Sequence, residues 1–313
     1  MEAIKNFDEF YDIKVKPYLK DFNKQDKVAG YWEVASVVSV LFIVPALAFG
    51  LSKDSGSFGG WLIVAAIASA IISTYNYVNV NDKYDSDYKQ QVVQQIIQFV
   101  HPGLEYKPGI CVNHIDYQKS SLCRDWYDDY DGDDWIGGNY QGVNFKCSEL
   151  NISRRSSSSA ASSYVIYHGL FFVAPLNICF NGGTYIWLKG QEQLPASIAD
   201  ERYRLLPMPH TVRVDFRNGD FEKHYVVYTT DIAEASSIIT PEIMTAIMNF
   251  KRQINRDITL SFVGGICYVS IPFSENLFEP HKGDPGDKET IKNYFFTVLL
   301  ILSIIKQLQL DKM

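Results

Sequence analysis

Between Asp125 and Asp134 the chain sets Asp125, Asp128, Asp129, Asp131, Asp133 and Asp134 among Trp126, Tyr127 and Tyr130. That density of carboxylates is what a calcium loop requires, but the spacing does not fit one. With Gly132 as the sixth-position glycine of an EF-hand, the first ligand position falls on Tyr127 and the twelfth on Gly138. The stretch from Ile110 to Gly138 therefore reads as an irregular, solvated acidic loop pinned by its aromatics, with a looser divalent-cation site as the alternative. Cys111-x2-His114, Cys123 and Cys147 are zinc ligand types, yet their spacing matches no finger. The histidines (His101, His114, His168, His210, His224, His281) are scattered and read as ordinary surface or core residues. There is no G-x-S-x-G elbow, no phosphate-cradling G-x-x-x-x-G-K-[ST] and no H-E-x-x-H. No catalytic residue, cofactor or metal site is assigned on these grounds.

The elements that must position any site are organised by the stretch from Tyr31 to Val80. No charged residue occurs from Val34 to Leu51, nor from Phe58 to Val80. Each run is roughly 18–23 residues, the length of a helix that crosses about 30 Å of hydrocarbon. The polar connection between them, Ser52 to Ser57, is too short to carry the chain back, so residues 31–80 are expected to form a transmembrane helical hairpin. Tyr31 and Trp32, Phe58 and Trp61, and Tyr75 and Tyr77 mark its ends as aromatic belts. Ala65, Ser69 and Ser73 recur at i, i+4, i+8 and, with Ala35 and Ser39, allow close approach of the two backbones. A hairpin packed on itself and an oligomerisation surface both fit that pattern.

Lys5, Lys14, Lys16, Lys20, Lys24 and Lys27 precede the first span, and Lys83 and Lys89 follow the second, while the connection holds only Lys53. The positive-inside bias then places both termini and the main domain in the cytoplasm. A net charge of −7 gives no support to nucleic-acid binding. Five cysteines without regular spacing suit reduced thiols better than a disulfide framework.

The expected layout is an amphipathic N-terminal helix over 1–30, interrupted at Pro17, then the hairpin over 31–80. A stalk helix follows over 81–102, with Val92, Val93, Ile96, Ile97 and Val100 on one face, and an α+β domain over 103–313. In that domain Val143 to Ile152 alternates with a phase slip that reads as a bulge near Ser148 or Glu149. Arg154 to Ser163 is a serine-rich hairpin tip, and the unbroken apolar run Leu170–Val173 reads as a strand buried on both faces. After a segment with Pro195, Pro207 and Pro209, Val212–Phe216 and His224–Thr230 read as strands joined at Asn218-Gly219. Thr240 caps a helix that starts at Pro241. Ile258–Ile271 reads as a hairpin about Gly264-Gly265, a structural turn that pairs Phe262 with Cys267 and Leu260 with Val269. The apolar run from Tyr294 to Ile305 is too short to span and is expected to lie in a helix packed on the domain.

Several boxes in order carry a family resemblance: Gly142-Val143-Asn144-Phe145, Gly169 to Ala174, Phe221-Glu222-Lys223, Val226-Val227-Tyr228, Ser261 to Gly265 and Leu277-Phe278-Glu279-Pro280. Over about residues 85–310 and the preceding hairpin, the chain resembles a bacterial family of membrane-anchored proteins described only as a domain of unknown function. It departs from that family in its serine-rich tip and its unusually apolar last helix. The resemblance implies a two-span hairpin carrying a cytosolic, mostly antiparallel sheet packed with helices. Glu149, Glu222 and Glu279 lie in or beside the boxes, which makes them the candidate binding surface. The expected role is a membrane-anchored binding or scaffold module at the bacterial inner membrane. Its expected partners are the lipid bilayer and a protein, with self-association open and nucleic acid not expected. The alternative is a tethered enzyme whose site is built from residues distant in sequence.

Overall fold

The computed structural model describes residues 7–52, 56–156, 159–178, 180–191, 210–281 and 283–313. The Pro195 to Pro209 segment lies outside them, as do the tip residues 157–158. Two compact units are present, one of residues 1–96 with 278–294, the other of residues 97–277 with 295–313.

In the first unit, α1 opens at Phe7–Phe10, passes through a π-turn at Tyr11–Val15 and continues as Lys16–Gly50. The sequence predicts an interruption at Pro17. Instead the helix continues, because the wider turn just before the proline absorbs its missing N–H and its ring. Phe7, Phe10, Val15, Leu19 and Phe22 are buried, so this stripe covers protein. The hydroxyl of Tyr11 donates to the Gly286 carbonyl at 2.7 Å, and Phe22 meets Tyr88 edge-on at 5.3 Å.

The second helix, α2, runs from Gly56 to Tyr88, through a π-turn at Lys89–Val93, to Val100. It packs along α1, and Ser39 Oγ lies 3.2 Å from Ser69 Oγ at the small-residue contact. Val92, Val93, Ile96 and Ile97 are fully buried. Lys89, on the same helix, is buried and pairs with Glu279 at 2.6 Å.

The second unit holds β1 (Leu104–Lys107), α3 (His114–Ser120), β2 (Asp129–Tyr140), β3 (Val143–Ser156), β4 (Ser159–Pro175), β5 (Gly183–Leu188) and β6 (Val212–Val214). Then come α4 (Phe221–His224), β7 (Tyr225–Thr229), α5 (Ile232–Ile238), α6 (Pro241–Ile254), β8 (Thr259–Val263), β9 (Ile266–Pro272) and α7 (Lys288–Gln307), whose first turns belong to the other unit. The strands make one antiparallel sheet in the order β1-β2-β3-β4-β9-β8-β5-β7-β6.

One sheet face carries Leu150, Ile152, Phe171, Val173 and Tyr268, packed with Tyr117 of α3 and with Val112 and Leu122 from the chain around it. Ser261 Oγ donates to the Ser120 carbonyl and Trp187 Nε1 to the Leu122 carbonyl, fixing that covering segment to the sheet. The opposite face carries Phe145, stacked on Phe172 at 5.4 Å, with Cys147, Leu260, Phe262 and Val269, all buried. Both faces are covered, which explains why β4 and β9 read as continuous apolar runs. Thr240 caps α6 by accepting from the Ile243 N–H, and Ile243, Ile247 and Phe250 form its buried stripe. In α7, Val298, Ile301, Ile304 and Ile305 are fully buried while Phe296 is exposed.

Two expectations are corrected. Residues 129–138 are not a loop. They are most of β2, paired with β3 from Asp129↔Ser153 to Tyr140↔Val143. Its acidic, glycine-rich sequence has poor strand propensity, and the long cross-strand pairing overrides that preference. The bulge expected in β3 near Ser148 or Glu149 is found at that place but in the partner strand. Asp133 is opposite Glu149 and Ile136 opposite Cys147, so β2 carries the extra residue across from Ser148. The pairing of β3 with β4 shifts further on, between Ile152 and Ser153. The phase slip marks the point where the apolar residues of β3 change from one sheet face to the other.

Candidate functional site

That change of face creates the polar site. Val143, Phe145 and Cys147 put apolar groups on one face of β3, and from Leu150 onward the apolar groups lie on the other. Glu149 and Asn151 are thereby left on the first face, directly opposite Asp133 and Asp131 of β2. Asn151 is also opposite His168 of β4. Gly132 sits between the two aspartates. A Cβ there would stand 2.3 Å from the Glu149 carbonyl oxygen, so only glycine lets β2 approach β3 this closely. The result is a cleft of about 270 Å³ lined by Asp131, Gly132, Asp133, Glu149, Asn151 and Asn276.

Glu149 is the group most altered by this setting. It is 5 % exposed, with one carboxylate oxygen 2.6 Å from His168 Nε2 and the other accepting the Leu277 N–H at 2.8 Å. Burial raises its pKa above the ordinary carboxylate value, while the hydrogen bonds from Leu277 and His168 pull the other way and Asp133 adds to the rise. A buried carboxyl in contact with an imidazole at the wall of a polar cleft can accept, hold or pass a proton, and can orient a polar ligand.

Of the three glutamates singled out from sequence, Glu149 and Glu222 lie far apart on the sheet. Glu222 lies on α4 beside β7, separated from β3 in the sheet order by β4, β9, β8 and β5, and accepts the Arg217 N–H. Glu279 belongs to the other unit, in its ion pair with Lys89. Glu149 lines the cleft. Sequence reasoning missed Asp131, Asp133, Asn151, His168 and Asn276 as its company. The signal that could have found them is the phase slip of β3, since a strand that turns polar on a buried face must satisfy those groups locally.

Gly264 and Gly265 form the turn between β8 and β9, with φ of 57° and 77° and the register Phe262↔Cys267, Leu260↔Val269. The zinc ligand types are not gathered among the described residues: Cys147 and Cys267 are fully buried, Cys111 and Cys123 half-buried, all four as free thiols. Burial drives the thiol pKa values of Cys147 and Cys267 upward, away from thiolate chemistry.

Among the described residues, three helical stretches are long and apolar enough to cross a membrane: Asp21–Gly50 at mean hydropathy 2.1, Ser57–Val100 at 1.7 and Lys288–Lys312 at 1.4. They differ in burial. Only 6 % and 17 % of the apolar windows in the first two are buried inside the protein, against 50 % in the third.

A search of curated proteins finds no match. Among solved structures, the chain is similar to the crystal structure of the mycobacterial trehalose monomycolate transport factor A, TtfA, at 10 % identity and a TM-score of 0.33, over 67 % of this chain and 93 % of that one. Residues 165–310, from β4 to the end of α7, match the model of a family described as a protein of unknown function (DUF3137).

Proposed function

We propose that the protein is a membrane-anchored binding module. On this reading α1 and α2 cross a bacterial inner membrane as a two-span hairpin, with both termini and the α+β domain on the cytoplasmic side, and the domain meets a protein partner there. The observation that carries it is the exposure of the apolar stretches. Leu41, Phe42, Val44, Trp61, Ile71 and Tyr75 are each more than half exposed, on helices whose apolar windows are almost bare. Leaving one such side chain in water instead of burying it costs roughly 1.5–3 kcal/mol, and a contiguous patch of this extent demands a covering medium. The lysine distribution supports the cytoplasmic orientation. The half-buried α7 supports a helix kept within the fold, where Gln307 reaches Gln253 of α6 at 3.2 Å.

The test is alkaline carbonate extraction of membranes from cells making the full chain. The protein should remain in the pellet and be released by detergent. A Leu41→Asp, Ile71→Asp double variant should lose that retention. Recovery of the wild type as a monomer in detergent-free buffer would overturn the anchor.

A second reading, a tethered enzyme, is favoured by one observation, the contact of the buried, cleft-lining Glu149 with the half-buried His168. A small polar molecule that raises the melting temperature of the wild type but not of Asn151→Leu would support it.

A further inference from the structure

Where α1 and α2 pass from polar to apolar sequence they leave a groove of about 220 Å³, lined by Asp26, Lys27, Gly30 and Glu33 of α1 and by Asn81 and Tyr84 of α2. Asp26, Gly30 and Glu33 fall at i, i+4 and i+7, along one stripe of the helix. The stripe ends where the charge-free stretch begins at Val34, and Asn81 follows directly on the end of the second stretch at Val80. In the two-span reading, on which this inference rests, the groove lies at headgroup depth on the side of both termini.

Its walls carry both signs of charge. The Asp26 carboxylate is engaged by the Gly283 N–H at 3.2 and 3.3 Å. Lys27 and Glu33 are exposed, and neither takes part in an ion pair among the described residues. Tyr84 is 3 % exposed, and its hydroxyl has no hydrogen-bond partner among the described residues. Buried donors are rarely left so, since the unmade bond forfeits about 1–3 kcal/mol. An acceptor held in the groove would complete it. Lysine with a buried hydroxyl donor suits a phosphate, and the exposed Glu33 carboxylate, six residues nearer the apolar stretch, suits an ammonium.

We propose that this groove holds the headgroup of phosphatidylethanolamine, with the phosphate on Lys27 and the Tyr84 hydroxyl and the ammonium on Glu33. Phosphatidylcholine lacks the N–H donors that Glu33 would accept, and phosphatidylglycerol lacks the positive pole. Gly30 supplies a clean variant. A Cβ added there meets nothing within 4 Å, so the leucine side chain of Gly30→Leu starts from open space at the groove, and leucine favours the helix over glycine.

The experiment uses the full chain in phosphatidylcholine nanodiscs doped with equal minor fractions of phosphatidylethanolamine or phosphatidylglycerol, followed by native mass spectrometry on release into detergent. Phosphatidylethanolamine should be retained about tenfold over either competitor, equivalent to about 1.4 kcal/mol. Gly30→Leu and Lys27→Gln should abolish that preference at unchanged helical content. Equal retention of the three lipids, or undiminished retention by Gly30→Leu, would overturn the site. Displacement of the lipid by glycerophosphoethanolamine at comparable concentration would assign the groove to a soluble headgroup and overturn the lipid. Failure of the protein to enter the discs overturns the anchor and the site together, whereas entry without preference overturns the site alone.

Discussion

Replacing Gly264 and Gly265 together by valine should destabilise the second unit by about 2–4 kcal/mol. Both residues sit in the left-handed region, at φ 57° and 77°. That conformation costs an L-residue roughly 1–2 kcal/mol, with β-branched side chains at the upper end. No clash adds to it, since a Cβ at Gly264 meets nothing within 4 Å and one at Gly265 comes only to 3.6 Å from the Ile178 carbonyl. The penalty is therefore one of backbone conformation, counted twice. The turn has little freedom to escape it. The Gly264 N–H donates to the Gly182 carbonyl at 3.2 Å, and the Gly265 carbonyl accepts from the Leu176 N–H at 2.8 Å. For a unit of 150–250 residues each kcal/mol moves the melting temperature by about 2–4 °C, so a fall of roughly 4–16 °C is expected for the full chain in detergent. Gly264→Asn is the control, because asparagine tolerates the left-handed region and should cost under about 1 kcal/mol. A valine double variant that melts with the wild type would refute the conformational argument.

Other outcomes follow from burial and charge. The raised pKa of Glu149 means that its carboxyl holds a proton more tightly folded than unfolded. Its contribution to stability is fully present below the ordinary carboxylate value and is lost as pH rises through the raised one. Glu149→Gln, which keeps an acceptor for the Leu277 N–H, should therefore gain on the wild type in thermal melts as pH rises from acid to neutral; a difference constant with pH would contradict this. Leu302→Asp places a charge at a position 5 % exposed and should unfold the second unit outright, at a cost of about 4–5 kcal/mol or more. Leu299→Asp, at a half-buried position, should be milder. Equal effects of the two on circular-dichroism melts, or an effect confined to membrane extraction, would mean that α7 faces lipid.

The elements legible in the sequence are those in which local preference and tertiary environment agree. Gly264-Gly265 between alternating residues could only be a tight turn, and Thr240-Pro241 could only begin a helix. The long apolar stretches of α1 and α2 announce themselves because no charged residue interrupts them. What was illegible lies where the environment overrules the residues. The acid-rich β2 is a strand only because β3 is there to pair with it. Asp134, in positive φ at the irregularity after Asp133, is buried against the Tyr106 hydroxyl, a contact no spacing rule anticipates. Likewise Glu149 meets His168 and the Leu277 N–H, residues far apart in sequence that only the order of strands brings together.

The most direct test of the anchor reading is single-cysteine labelling in intact cells, with the five native cysteines replaced. Ser57 and Ser237 are both exposed, the first beside the connection between α1 and α2, the second on α5. A membrane-impermeant maleimide added from outside should modify Ser57→Cys in whole cells, and Ser237→Cys only after the inner membrane is opened. Labelling of Ser237→Cys in intact cells, or of neither site until lysis, would contradict a two-span anchor with a cytoplasmic domain.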